Sequence, residues 1–304
     1  MRRLRDGWNA FWFTPAGPLN LGLCRLLFFG FFFLFYLPRD FSAWGGVSKV
    51  FWMPLWYFRI LRLPLLSVPV IGCIQWIWKA ALLLSCAGWL TRPATAVSLL
   101  LGTYLLGLPN CFGKTHHYDA MVLLIMGILA SSRCGDGGSL DSWIRSQRNR
   151  RNGRPVLDPV PSGDYRWPVQ AARVVMSFVF FGAGFSKIRH SGLRWICSSN
   201  MAVLLIQGRY HISNADPATT WGLTLARFPW IYRGIAAATL FFELGYPLAL
   251  FIPAARWIFI PGVLGMLVMI RLLMGPTFYP FILCQLFWIP WDRLLGRLAG
   301  RTNG

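Results

Sequence analysis

Long apolar runs separated by short polar breaks dominate the chain, at about 19–37, 67–90, 95–113, 116–132, 168–186, 232–252, 257–275 and 277–290. Crossing a hydrocarbon core about 30 Å thick takes about 20 apolar residues in a helix. No segment shows the strict alternation of a barrel strand, and backbone groups in lipid must be satisfied within their own segment, so the runs predict helices. The pattern predicts an all-α, polytopic transmembrane bundle of about eight spans, treated as one integral membrane domain over 1–304. The eighth run is short enough to tilt or only half-cross, and the fourth owes its length to the polar stretch from His116 to Asp119. No internal repeat is visible.

Three connections are long. Residues 38–66 hold Trp44, Phe51, Trp52, Trp56, Tyr57 and Phe58 with Arg59 and Arg62, a mixture suited to an amphipathic segment in the membrane interface. Residues 133–166 are the one markedly polar stretch, an Arg-rich loop expected to be solvated and cytoplasmic. Residues 187–231 contain Met201 to Ile206, too short to span and therefore a re-entrant or surface helix. The N-terminus is basic and then apolar, as in a signal peptide. Its apolar run ends in Pro38-Arg39-Asp40 instead of small residues, so it reads as a retained first span.

Composition supports the membrane reading. Apolar residues make up 56% of the chain and charged residues 13%, where soluble domains carry about 25% charged. Mean hydropathy is +0.50. These values exclude a soluble enzyme and a secreted disulfide scaffold. The net charge of +20 would suggest nucleic acid in a soluble chain. Here the basic residues flank apolar runs, where they orient helices and meet anionic headgroups, so membrane lipids are the expected partner and nucleic acid is not. Counting Lys and Arg in the connections gives 15 on the side of the N-terminus and ten on the other. The positive-inside rule then puts both termini in the cytoplasm, with the cell (inner) membrane as the expected location. Of seven cysteines none has metal-ligand spacing, and Cys111 and Cys197, both assigned to the outer side, are one pair a disulfide could join.

Ionisable residues inside spans are the best pointers to function, because each costs about 2.5–3.5 kcal/mol to place at the centre of a bilayer helix. Glu243, the only glutamate, sits in the middle of Phe241-Phe242-Glu243-Leu244-Gly245, and Lys79 lies near the centre of the second span. At similar depth the two could pair, or Glu243 could be held protonated; a structural contact between helices is the plainer alternative. Lys187 ends Phe180-Phe181-Gly182-Ala183-Gly184-Phe185-Ser186-Lys187, where small residues let a helix or ligand approach. Desolvation would favour its neutral amine, a general base; the other reading is an interfacial lysine snorkelling to headgroups beside Arg189 and His190. His116-His117-Tyr118-Asp119 opens the fourth span, but adjacent histidines point about 100° apart and do not make a metal site.

Several of these pieces occur in a familiar order. The first span is followed by Gly45-Gly46-Val47, then His116-His117-Tyr118-Asp119, Ser139-Leu140-Asp141, and Phe181-Gly182-Ala183-Gly184-Phe185-Ser186-Lys187-Ile188 ahead of Trp195. Over about 20–290 the chain resembles the HTTM superfamily (horizontally transferred transmembrane domain), the membrane portion shared with vitamin K-dependent gamma-carboxylase. The resemblance implies a helical bundle with a cavity on the outer side, a quinone-type lipid as ligand, and Lys187 as the base that deprotonates it. Two departures stand out. Asp136 occupies the position of a functional histidine, and only about 14 residues follow the last run, so protein carboxylation by this chain alone is not expected.

Two functional readings remain. One is a membrane-embedded enzyme acting on a quinone-like or other lipid near Lys187, with Glu243 or His116 assisting. The other is a non-catalytic protein binding lipid or a membrane or periplasmic partner subunit. A transporter is a third reading, disfavoured by the lack of paired broken helices.

Overall fold

The computed structural model describes residues 2–113, 117–156, 159–210 and 220–295. Among these the structure is helical without a strand; one isolated antiparallel bridge joins Ala16 to Ser162. The chain divides into two compact units, one made of 1–172 with 286–304 and the other of 173–285.

The first unit begins with α1 (Arg2–Phe13), on which Leu4, Trp8, Phe11 and Trp12 fall at i, i+4, i+7 and i+8 along one face. α2 (Pro18–Tyr36) starts on a proline, whose missing N–H costs nothing at a helix start, and stops before Pro38. The connection that follows is broken by Pro54 and Pro64 into two short 3-10 turns and α3 (Trp56–Ile60). It is held by the Met53 N–H donating to the Cys111 carbonyl (2.7 Å) and by the Tyr57 hydroxyl donating to that of Thr103 (3.1 Å). The expected interfacial segment is thus a wrapped chain with Phe51, Met53, Trp56 and Ile60 exposed.

α4 (Val68–Ala87) and α5 (Thr91–Gly107) form a tight antiparallel pair, with α2 against α4 and α6 (His117–Ala130) against α5. The core of this unit is aromatic. Phe28, Phe29, Phe32, Tyr36 and Trp78 are fully buried, and the Tyr36 and Trp78 ring centres lie 5.1 Å apart. Two polar contacts lie inside it: the Trp78 indole N–H donates to the Ser98 carbonyl (2.9 Å), and the Ser85 and Ser98 hydroxyls meet at 3.2 Å. α7 (Leu140–Arg151) lies in the Arg-rich stretch and opens with a capping box of Ser139 and Ser142.

α8 (Trp167–Ser191) begins in the first unit and continues into the second, which then comprises α9 (Arg194–Cys197), α10 (Asn200–Tyr210), α11 (Thr220–Leu225), α12 (Pro229–Gly245), α13 (Leu248–Phe251), α14 (Pro253–Met274) and α15 (Tyr279–Leu283). Its core includes a cluster of Met201, Ala202, Leu205, Tyr232, Ala236 and Leu273. The stretch around Met201 to Ile206 is therefore a helix, α10, packed on α12 and α14.

Among the described residues five helices are long and apolar enough to cross a membrane: Pro18–Tyr36, Val68–Ala87, Thr91–Phe112, Gly163–Ser191 and Pro253–Met274. This is compatible with an integral membrane protein. The other three of the eight expected runs form shorter helices. α6 has 14 residues, α12 stops at 17 because Tyr246-Pro247 follows, and the last run is split into α15 and a 3-10 turn. Large apolar side chains point outward from the long helices, among them Leu100, Phe178 and Trp257. All seven cysteines are free thiols; Cys111, in the first unit, is buried and Cys197, in the second, is exposed.

Candidate functional site

In the second unit, Lys187 near the end of α8 meets Glu243 in the last third of α12. The ammonium Nζ lies 2.6 Å from both Oε1 and Oε2, a bifurcated ion pair. The carboxylate side chain is 7% exposed and the lysine 22%, so the pair is shielded on the glutamate side and reachable on the other. The small residues that precede Lys187 make this geometry available. A Cβ at Gly184 would stand 3.0 Å from the Glu243 Cβ and from Leu244, whereas one at Gly182 would meet nothing within 4 Å. Gly184 is thus where α8 and α12 approach; Gly182 is not.

Trp195, on α9, completes the surroundings. Lys187 Nζ lies 5.4 Å from the centre of its ring, within cation–π range. The indole Nε1 is buried and, among the described residues, has no hydrogen-bond acceptor. A buried, unpaired N–H costs about 1–3 kcal/mol, and a ligand oxygen that accepted it would recover that energy. One turn beyond Lys187, the His190 ring Nδ1 donates to the Ser186 carbonyl (2.8 Å). An open cavity of about 610 Å3 follows, lined by His190, Gly192, Arg194, Ser198 and Asn200.

The other sequence candidates fall elsewhere. Lys79 does not take Glu243 as its partner. Its Nζ donates to the Leu37 (3.0 Å) and Arg39 (2.8 Å) carbonyls, so a buried cation closes the C-terminal end of α2, where the helix dipole is negative. His116 lies outside the described residues. Asp119 is buried and accepts the Tyr36 hydroxyl at 3.3 Å. Asp136 accepts the Tyr165 hydroxyl (3.0 Å) and pairs with Arg133 (3.1 Å), a surface knot with no reactive group at its centre.

Asp141 has a definite structural task. Its carboxylate accepts the Leu90 N–H (2.9 Å), the Thr91 N–H (2.8 Å) and the Thr91 hydroxyl (2.7 Å), capping the start of α5 from another helix. Partial burial alone would raise this carboxyl, but the Thr91 and Leu90 donors outweigh it and hold the group below the usual aspartate range. Beside it Arg25 is fully buried; its Nη2 donates to the Gly138 carbonyl (2.7 Å), while Nε and Nη1 have no partner among the described residues. Sequence reasoning passed over Arg25, although an arginine inside the first apolar run is itself a signal.

Among the described residues no group of three or more His, Cys, Asp or Glu side chains could hold a metal ion. Comparison with family models, with curated proteins and with solved structures finds no match for this chain.

Proposed function

We propose that the chain is an HTTM-like integral membrane protein of the cell membrane, with both termini cytoplasmic, that binds a lipid-soluble ligand beside Lys187. The single observation behind this reading is the ion pair itself: a shielded carboxylate gripping a lysine whose Nζ also lies 5.4 Å from the centre of the Trp195 ring. Two donors belong to these residues, Lys187 Nζ and the unpaired Trp195 Nε1, and carbonyl or phenol oxygens of a ligand would answer them. A quinone-type ring carries such oxygens on an otherwise apolar body. It fits the donor set, and its aromatic face suits Trp195.

The chemistry available to the residues is proton handling. The lysine can donate a hydrogen bond to a ligand oxygen while Glu243 neutralises its charge. If the proton of Nζ passes to the carboxylate 2.6 Å away, the resulting neutral amine can accept one from a ligand hydroxyl. The quinol, the reduced form of a quinone-type ligand, would supply the acidic hydroxyl and the redox capacity; Lys187 would orient it and Glu243 would hold the proton.

Orientation is supported by the first unit. Gly22 near the start of α2 packs on the carbonyl of Gly137, and Asp141 caps the start of α5. The end of the unit where α2 and α5 begin therefore carries the arginines of α1 and of 133–156. Its opposite end has Arg39, Lys49, Arg59 and Arg62.

A second reading also has an observation in its favour. The close approach at Gly184 makes the pair a clamp between α8 and α12, in a protein that binds lipid or a partner subunit without catalysis. Mass spectrometry of lipids and quinones co-purifying with wild type and with Lys187→Ala separates the two. A specific quinone or lipid, enriched over bulk membrane and lost in the variant, supports the ligand site. Bulk lipid alone, the same in both, leaves the clamp.

A further inference from the structure

We propose that α7 is a docking helix for anionic phospholipid headgroups, lying in the membrane interface at the end of the first unit where α5 begins. The tether comes first. The Asp141 N–H donates to the Gly88 carbonyl (2.9 Å), and the Asp141 carboxylate grips Leu90 and Thr91. Gly88 closes α4 and Thr91 opens α5, two of the membrane-crossing helices, so α7 starts at a span junction.

The face comes second. Leu140, Trp143 and Ile144 are 43%, 60% and 44% exposed in the first turns of α7. At helical spacing Arg148 and Arg151 follow Ile144 at i+4 and i+7, and Arg150 follows Trp143 at i+7, all exposed. The half nearest the span junction is thus apolar with a tryptophan, and the half leading away is cationic. That order suits a helix whose first turns rest at the acyl boundary while its arginines reach phosphates.

Charge comes third. Asp141 is the only acid in the helix, and the cap on α5 occupies it. Arg145 is shared with Asp136 at 3.5 Å. Arg148, Arg150 and Arg151 have no acidic partner among the described residues and are complementary to a lipid phosphate. A soluble polyanion would also answer the arginines, but not the exposed Leu140, Trp143 and Ile144 beside the spans.

The test uses the full chain in lipid nanodiscs of phosphatidylcholine, with and without added phosphatidylglycerol. Phosphatidylglycerol retained on the released protein is counted by native mass spectrometry, and α7 amide exchange is followed in parallel. Each arginine near a membrane surface contributes about fivefold to affinity. Replacing Arg148, Arg150 and Arg151 with Gln should therefore weaken phosphatidylglycerol retention on the order of tenfold to a hundredfold. The same three changed to Lys should keep most of it, which controls for folding. Arg59→Gln with Arg62→Gln, at the other end of the unit, should change it little. Wild-type α7 amides should exchange more slowly when phosphatidylglycerol is present. Equal retention by the wild type and the Gln variant, or an equal loss from the Arg59/Arg62 variant, would overturn the proposal. So would α7 exchange that ignores lipid charge.

Discussion

Both carboxylate oxygens of Glu243 lie 2.6 Å from Nζ of Lys187, so one lysine satisfies a carboxylate that is almost fully withdrawn from solvent. Breaking such a pair from one side leaves a buried charge, whereas removing both sides removes the problem. Lys187→Met is expected to destabilise by about 3 kcal/mol because it strands the buried Glu243 carboxylate, and Glu243→Gln by less because the lysine it leaves is partly exposed. The double variant should lose less than the sum, by at least about 1 kcal/mol of coupling. Thermal unfolding in mild detergent measures this; strictly additive losses would show that the two groups do not depend on each other.

The two glycines of the Gly182-Ala183-Gly184 run are not equivalent. A methyl group at Gly182 enters open space, but at Gly184 it presses on Glu243 and Leu244. Gly182→Ala should be neutral or slightly stabilising, since alanine is the better helix former by about 1 kcal/mol. Gly184→Ala should cost about 1–3 kcal/mol through overpacking and should weaken ligand retention as well. Comparing the melting temperatures of the two variants checks this directly.

Asp141 carries a pH dependence whose sign can be worked out. Its carboxyl is held below the unfolded value of about 3.9, so the cap's contribution is full above that pH and disappears as the pH falls through the folded value. Asp141→Asn should cost about 1–2 kcal/mol at neutral pH, the usual range for a lost cap. The variant should also lose stability less steeply than wild type on acidification. Unfolding midpoints measured from neutral pH down to about pH 3 test both statements.

The spans that could be read from sequence are those bounded by strong signals. Pro18 and Pro38 bracket α2, Ser67 and Gly88 bracket α4, and Pro253 and Gly275 bracket α14. Hydropathy reads through short breaks, so Tyr246-Pro247, which ends α12, was absorbed into one long run. The amphipathic helix α1 was hidden because arginines and tryptophans averaged to neither loop nor span, and α7 because four arginines outweighed Trp143 and Ile144. At the site, sequence gave depth but not direction. Lys79 and Glu243 each stood out as charges within apolar runs, yet which way a side chain points around its helix depends on packing. Lys79 turned to the end of α2, and Glu243 turned to Lys187.

The proposed grip of Lys187 and Glu243 on an acidic hydroxyl of a lipid-soluble ring can be read from ligand discrimination. Purified protein would be titrated without oxygen with a short-chain quinol and with its dimethyl ether, which has the same ring but no acidic proton. Wild type is expected to bind the quinol at least about tenfold more tightly, the value of one charge-assisted hydrogen bond. Lys187→Ala should lose that preference while Gly182→Ala keeps it. Equal binding of quinol and ether by wild type, or a preference that survives in Lys187→Ala, would mean that Lys187 holds no ligand hydroxyl.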